Sequence, residues 1–311
     1  MLTILYDGAA KMWPVYQPAL STAMAEAGIP ARLALPGEVA PEAVDYIVYA
    51  PTGPVQDFTP FTRTKAVLSL WAGVERVVGN ATLTQPLCRM VDEGLERGMI
   101  EWVTGHVLRA HLGMDKHILD QSGKWEQIAP PLAPERSVVI LGLGALGAAC
   151  ARTLASLGFR VSGWSRTPKE ITGVDCLSGA DGLRTALARA EILVTILPNT
   201  PETTNLLNAE TLAQMPRGAV ILNPGRGNVI DDDALLAALD SGQIGQATLD
   251  VFRIEPLPPE HPYWAHPHVT VTPHIAAETR PSSAARVIVE NIRRGEAGEP
   301  FLNRVDRDRG Y

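Results

Sequence analysis

The stretch SVVILGLGALG, residues 137–147, restricts this chain more than any other. The apolar run SVVIL, four of its five residues hydrophobic, leads into glycines at 142, 144 and 147, and the helix-prone ALGAACARTLASLG follows. The run reads as a buried strand, and the glycines close a tight turn into the helix. Gly142 permits the turn. Gly144 lets the backbone approach a pyrophosphate, and Gly147 lets helix and strand pack closely. The helix start then offers unpaired N–H groups to phosphate oxygens. Leu143, Ala145 and Leu146 complete this candidate cofactor loop. Glycine turns without a ligand are common; strand before and helix after favour a dinucleotide.

The next β-like run, FRVSGWS, ends at Trp164, Ser165, Arg166 and Thr167. A dinucleotide fold usually places an Asp or Glu here for the ribose hydroxyls. A carboxylate would repel a 2′-phosphate, whereas an arginine flanked by hydroxyls supplies charge and a planar donor fork. The segment therefore points to NADP(H), with NAD(H) still possible, because Arg166 can also stack on an adenine. The competing reading is a solvated arginine beside a lost acid.

A length of 311 residues, 46% of them hydrophobic, suffices for two domains with cores of their own. A net charge of −7 gives no sign of a nucleic-acid partner. Cys88, Cys150 and Cys176 lack CxxC spacing and suggest a reducing compartment without disulfides. MLTILYDGAAK lacks the basic start and apolar core of a signal peptide. The longest apolar stretch is glycine-rich and broken by Arg152. A cytoplasmic chain with no membrane partner is expected.

Short apolar runs alternate with helical patterns throughout. LTILY, ARLAL, DYIVYA and AVLSLWA read as strands, and PVYQPALSTAMAEAG as a helix from Pro14 to Gly28. GMIEWVTGHVLRAHLGMDKHILDQ predicts one long helix ending near Gly123, and APPLAPE a proline-rich connector. EILVTILP, GAVILNPG, QATLDVF and HVTVTPH are later strands; DDALLAALDSG is a helix with acids at its start. The tail holds one more amphipathic helix. Alternation of this kind builds parallel sheets covered by helices.

Three polar residues follow apolar strands: Arg226 in LNPGRGNVID, Glu255 in LDVFRIEPLP and His274 in VTVTPHIAAET. Open α/β sheets bind ligands at the carboxyl ends of their strands, so all three fall on the glycine-loop edge. Arginine binds a carboxylate in two-pronged fashion and polarises an adjacent carbonyl. Histidine donates a proton to the carbonyl oxygen as hydride reaches carbon. A carboxylate beside the histidine orients it and favours its charged form. Each alone reads as a surface or capping residue; together they suit reduction of a 2-oxoacid.

LGLGALG, LPNTPET, LNPGRGNVIDDDALLAALDSG, LDVFRIEPLPPEHPYW and VTPHIAAET together resemble the D-2-hydroxyacid dehydrogenase family. WSRT, LPNTPETTNLLN and the terminal VDRDRGY look most like its glyoxylate/hydroxypyruvate reductase A branch. The likeness is strong from about residue 136 onward. It implies an α/β fold of two βα domains: a Rossmann-type NADP-binding domain and a discontinuous flavodoxin-like substrate domain, with the active site in the cleft. The boundaries expected on it are 1–98 with 275–311 for the substrate domain and 99–274 for the dinucleotide domain. It implies Arg226 as carboxylate binder, His274 as acid and base, and Glu255 as its partner. Ala72 and Gly73 would offer backbone N–H groups to the substrate. Leu197, Pro198, Thr203, Pro224, Gly225, Asp250 and Ala276 would join the cofactor site. A homodimer is implied, with the long helix after Gly98 as its interface. Trp71 departs from the small residue common before the alanine–glycine pair. It either narrows the pocket or packs under the loop. Tyr49 likewise either lines the pocket or packs.

His261, His266 and His268 sit among prolines without metal-ligand spacing, so no metal is expected. Asp231, Asp232 and Asp233 suit a helix start, and Cys150 suits packing. The function expected is reduction of glyoxylate or hydroxypyruvate by NADPH. Rivals are reduction of pyruvate or phenylpyruvate, a formate, phosphite or phosphoglycerate dehydrogenase, and a dinucleotide-sensing interaction protein. Formate dehydrogenases of this superfamily pair the histidine with glutamine, where this chain has Glu255.

Overall fold

The computed structural model describes residues 1–119, 122–307 and 310. They form two compact units, residues 1–95 with 278–311 and residues 96–277.

The first unit opens with β1 (Leu2–Asp7), α1 (Trp13–Glu26), β2 (Ala31–Ala34), β3 (Tyr46–Tyr49), β4 (Ala66–Ser69) and β5 (Leu87–Cys88). All pairings are parallel, in the order β2-β1-β3-β4-β5. That is the flavodoxin-like order. Every residue of β3 and β4 is buried, as expected of a parallel sheet covered on both faces. Leu5, Ile47, Tyr49, Val67 and Leu87 fill one face together with Phe58 and Leu83.

The chain passes to the second unit within α2 (Glu93–His111), followed by α3 (Met114–Leu119). The single long helix expected across residues 98–121 is therefore two. Gly113 takes the left-handed backbone (φ 62°), which ends one helix before the next begins. Asp120 and Gln121, the end of that pattern, lie outside the described residues.

The rest of this unit comprises β6 (Ser137–Leu141), α4 (Ala145–Ser156), β7 (Arg160–Ser165), β8 (Asp175–Ser178), α5 (Gly179–Arg189), β9 (Ile192–Thr195), α6 (Ala209–Ala213), β10 (Ala219–Asn223), α7 (Asp232–Asp240), β11 (Ile244–Leu249) and β12 (Val269–Val271). The strands are all parallel in the order β12-β11-β10-β9-β6-β7-β8. Counted from β6, this is the doubly wound Rossmann order with one further strand, and its switch point lies between β6 and β9. Leu141, Leu193, Ile221 and Leu249 bury one face, and Val138, Ile140, Val194 and Leu222 the other, with Val103, Cys150 and Leu154 from the helices. Each such Val or Leu contributes roughly 1.5–3 kcal/mol.

The last helix, α8 (Pro281–Ala297), returns to the first unit and packs on α1. Pro281 starts it and Gly298, at φ 70°, ends it. Both ends of the chain thus build the first unit. Among the described residues no helix is long and apolar enough to cross a membrane.

Candidate active site

The glycine loop has the shape a dinucleotide requires. Gly142 sits at φ 105°, and a Cβ there would lie 2.5 Å from the Ile196 carbonyl oxygen. At Gly147 a Cβ would lie 1.8 Å from the Gly142 carbonyl oxygen, so helix and turn are in backbone contact. Gly144 differs: a Cβ there would meet nothing within 4 Å. That open side is where a pyrophosphate can approach. Gly144 also caps α4 without any side-chain hydrogen bond, so the first-turn amides of Ala145, Leu146 and Gly147 face outward unsatisfied by a cap. Leu143 is buried and packs against Gly163 of β7. The residues present fit a dinucleotide.

At the end of β7, Trp164 donates its indole N–H to Gly179 O at 2.8 Å, and Ser165 its hydroxyl to Thr167 O at 2.8 Å. Arg166 and Thr167 are exposed. Glu202 stays ionised below the ordinary carboxylate value, through the Thr200 hydroxyl, its own amide and the charge of Arg166. The Leu197–Pro198 segment borders the glycine loop, and Thr203 caps its turn by donating to Pro198 O at 2.6 Å.

Arg226 follows β10 in a turn organised by buried Asn223. Its amide side chain accepts from Gly225 N–H and donates to Arg226 O, both at 3.1 Å. Pro224 and Gly225 are buried, and a Cβ at Gly225 would lie 2.7 Å from Thr195 O. A Cβ at Gly227 would fall 2.1 Å from the Phe252 carbonyl carbon. The arginine turn therefore lies directly on the backbone that leads to Glu255.

Glu255 Oε1 accepts from Phe252 N–H at 2.9 Å, and Oε2 meets His274 Nδ1 at 2.7 Å. The Glu255 hydrogen bond raises the His274 imidazole above its ordinary value, ahead of burial, which opposes it. Burial pushes Glu255 upward, but His274, the Phe252 amide and Arg226 together hold it below its ordinary value. The charge of Arg226 acts on both members of the pair.

His274 has a left-handed backbone, φ 53°. Asp250 holds it there. Its carbonyl accepts from His274 N–H at 2.8 Å. Its fully buried carboxylate accepts from the Thr272 hydroxyl at 2.6 Å and from the amides of Ile275 and Ala276, both at 2.9 Å. Both oxygens of Asp250, which with Ala276 was expected at the cofactor site, accept from the loop that carries His274. Asn223 and Gly227 went unnoticed in the sequence, since neither carries a reactive group.

In the first unit, Tyr49 is buried edge-on against Phe58, with ring centroids 5.7 Å apart. Trp71 is 37% exposed, with Arg76 over its ring. Leu70 N–H donates to Tyr49 O at 2.7 Å and Trp71 N–H to the Ser69 hydroxyl at 3.0 Å. Among the described residues the next amides, Ala72 and Gly73, donate to no acceptor.

Other candidates resolve locally. His261 caps a short turn by accepting from Tyr263 N–H, and His266 meets Asp240 at 3.4 Å. Asp231 caps α7, and Asp232 accepts from the Tyr263 hydroxyl at 2.9 Å. Cys150 is fully buried, which pushes its thiol up to about 12.

The family model for the D-isomer specific 2-hydroxyacid dehydrogenase NAD binding domain matches residues 105–276. A glyoxylate/hydroxypyruvate reductase A from Yersinia enterocolitica is 41% identical over 255 residues, 79% of this chain and 82% of that protein. Among solved structures, a D-isomer specific 2-hydroxyacid dehydrogenase from Xanthobacter autotrophicus Py2, in complex with NADPH and MES, is 44% identical. It covers 99% of both chains at a TM-score of 0.93. An NADPH-dependent glyoxylate/hydroxypyruvate reductase from Sinorhizobium meliloti, with NADP and sulfate, is 34% identical over 100% of both chains at 0.87. The chain belongs to the D-isomer specific 2-hydroxyacid dehydrogenase family.

Proposed function

We propose that this chain reduces glyoxylate and hydroxypyruvate to the corresponding 2-hydroxyacids with NADPH, giving the D product where C2 becomes stereogenic. The observation that carries this reading is the 2.7 Å His274–Glu255 pair, under the charge of Arg226, in the same unit as the glycine loop. The loop 142–147 would hold the pyrophosphate, and Ser165, Arg166 and Thr167 the 2′-phosphate.

When bound, NADPH supplies a hydride to C2. Arg226 binds the substrate carboxylate and draws electron density from the adjacent carbonyl. The unengaged amides of Ala72 and Gly73 are further carboxylate donors. His274 keeps Nδ1 on Glu255 and gives the proton on Nε2 to the carbonyl oxygen. Glu255 holds the ring in that orientation and keeps it protonated before the transfer. The hydride becomes the C2–H bond, and the proton from His274 turns the former carbonyl oxygen into the hydroxyl.

The test is initial rates with NADPH and NADH on glyoxylate, hydroxypyruvate, pyruvate and phenylpyruvate. Turnover of the first two with NADPH preferred is expected. Faster turnover of the larger oxoacids would overturn the substrate assignment. Cofactor binding without any turnover would favour a sensing protein.

The family resemblance also motivates a homodimer. Leu112, Met114, Ile118, Leu119 and Trp125, on α3 and beside it, expose their apolar side chains, and a second copy would cover them. Light scattering should give twice the chain mass, and charged replacements at Ile118 and Leu119 should halve it. We place the protein in the cytoplasm, where Cys88 and Cys150 stay reduced; cell fractionation checks this.

A further inference from the structure

Arg89 lies just past β5, at the carboxyl edge of the first unit's sheet, and no part of the mechanism above uses it. Leu68 pairs with Cys88 and Tyr49 with Ser69. Extending the ladder by one residue sets Arg89 in the row Tyr49–Ser69–Arg89. Leu87 points into the core face with Val67 and Tyr49, so Arg89, two residues on, falls on that face as well. Met90 N–H donates to Trp71 O at 3.0 Å, which fixes the segment beside the loop bearing the Ala72 and Gly73 amides.

Arg89 is half-buried, and burial lowers its guanidinium from its ordinary value with no carboxylate acting against it. Among the described residues its side chain has neither a hydrogen-bond nor an ion-pair partner. Withdrawing a cation from water without a counter-charge is unfavourable. A partner supplied by a bound solute removes that penalty, and arginine offers such a solute a fork of donors. Two unengaged amides on the adjoining loop make the same edge receptive to oxygen acceptors.

We infer that Arg89 is a specificity-determining residue that binds the oxygen on C3 of the substrate, so that the site favours 2-oxoacids oxygenated at C3 over those without such an oxygen. The inference rests on the reductase reading, which gives the carboxylate to Arg226 and to the Ala72 and Gly73 amides. Hydroxypyruvate carries the C3 oxygen; glyoxylate and pyruvate do not.

The experiment compares wild type with Arg89→Met and Arg89→Lys. The ratio of kcat/KM for hydroxypyruvate to that for pyruvate should fall at least tenfold in Arg89→Met, chiefly through KM. Arg89→Lys should recover part of it, because it restores the charge without the fork. Thermal melting should stay level or rise in Arg89→Met, since a desolvated cation is removed. An unchanged ratio in a folded Arg89→Met protein would overturn the inference. If wild type reduces no oxoacid, the reductase reading has failed instead. Calorimetric titration with hydroxymalonate then decides Arg89 separately: binding lost in Arg89→Met supports the role in its anion-binding form, and equal binding overturns it.

Discussion

At the scale of residues, Glu255 occupies one ring nitrogen of His274, and the proposed mechanism has the histidine donate through the other. Reduction consumes the protonated imidazole, so kcat/KM should fall as pH rises through the raised His274 value. Glu255→Gln removes the charge that raises it, and the falling limb should move to lower pH; an unmoved limb in the pH profile would refute the pairing. The same shifts set the sign for stability. The share of His274 is full below the ordinary imidazole value and is lost as pH rises through its raised one. The share of Glu255 is full above the ordinary carboxylate value and is lost as pH falls through its lowered one. The pair therefore stabilises most from mild acid to neutrality. At the cofactor end, Ser165→Asp with Arg166→Ile should turn the ratio of NADPH to NADH efficiency toward NADH, read from kcat/KM with each. Arg226, Glu255 and His274 stood out in the sequence because each follows an apolar run. The latch of Asp250, the turn held by Asn223 and the bare cation of Arg89 did not. Their roles depend on which amides or partners the fold brings near, and no spacing rule encodes that.

Among the elements, two glycines three residues apart in the same turn have opposite jobs. Gly147 is wedged against the Gly142 carbonyl, whereas Gly144 faces open space. Gly147→Ala should lower the melting temperature, by the equivalent of about 1–3 kcal/mol. Gly144→Ala should melt like wild type yet bind NADPH at least tenfold more weakly by fluorescence titration; unchanged affinity would remove the phosphate from that side. Mostly apolar strands such as β6 and β9 were plain in the sequence. β5 has only Leu87 and Cys88, and β8 is a polar edge strand (Asp175–Ser178), so neither carries a periodic signal. The break between α2 and α3 hid because the apolar pattern runs straight through Gly113. A left-handed glycine costs the sequence pattern nothing and the helix everything.

On the scale of the molecule, the α/β class was readable from the alternation of strands and helices, whereas the two domain types were implied only by the family resemblance and their strand orders came from the structure. The exact seams were not readable, since α2 runs through one of them without a change of composition. The first unit depends on α8, which buries Ala284, Ala285, Ile288, Val289 and Ile292. A chain cut after Arg280 should therefore lose the cooperative melting of that unit. It should still bind NADPH at the glycine loop. Loss of both activities together, measured by calorimetry and cofactor titration, would contradict the separate construction of the two cores.

The left-handed backbone of His274 has a thermodynamic corollary. Glycine ordinarily weakens a fold relative to alanine through the extra freedom of its unfolded chain. At position 274 the order should invert. His274→Gly and His274→Ala both forfeit the Glu255 contact and the proton donor, but only glycine relaxes the φ of 53°. The glycine variant should be the more stable of two inactive proteins, by about 1 kcal/mol. The proposed proton donor thus occupies a site that folding alone would fill with glycine, and the gap between those two variants measures what the fold concedes to keep a histidine there.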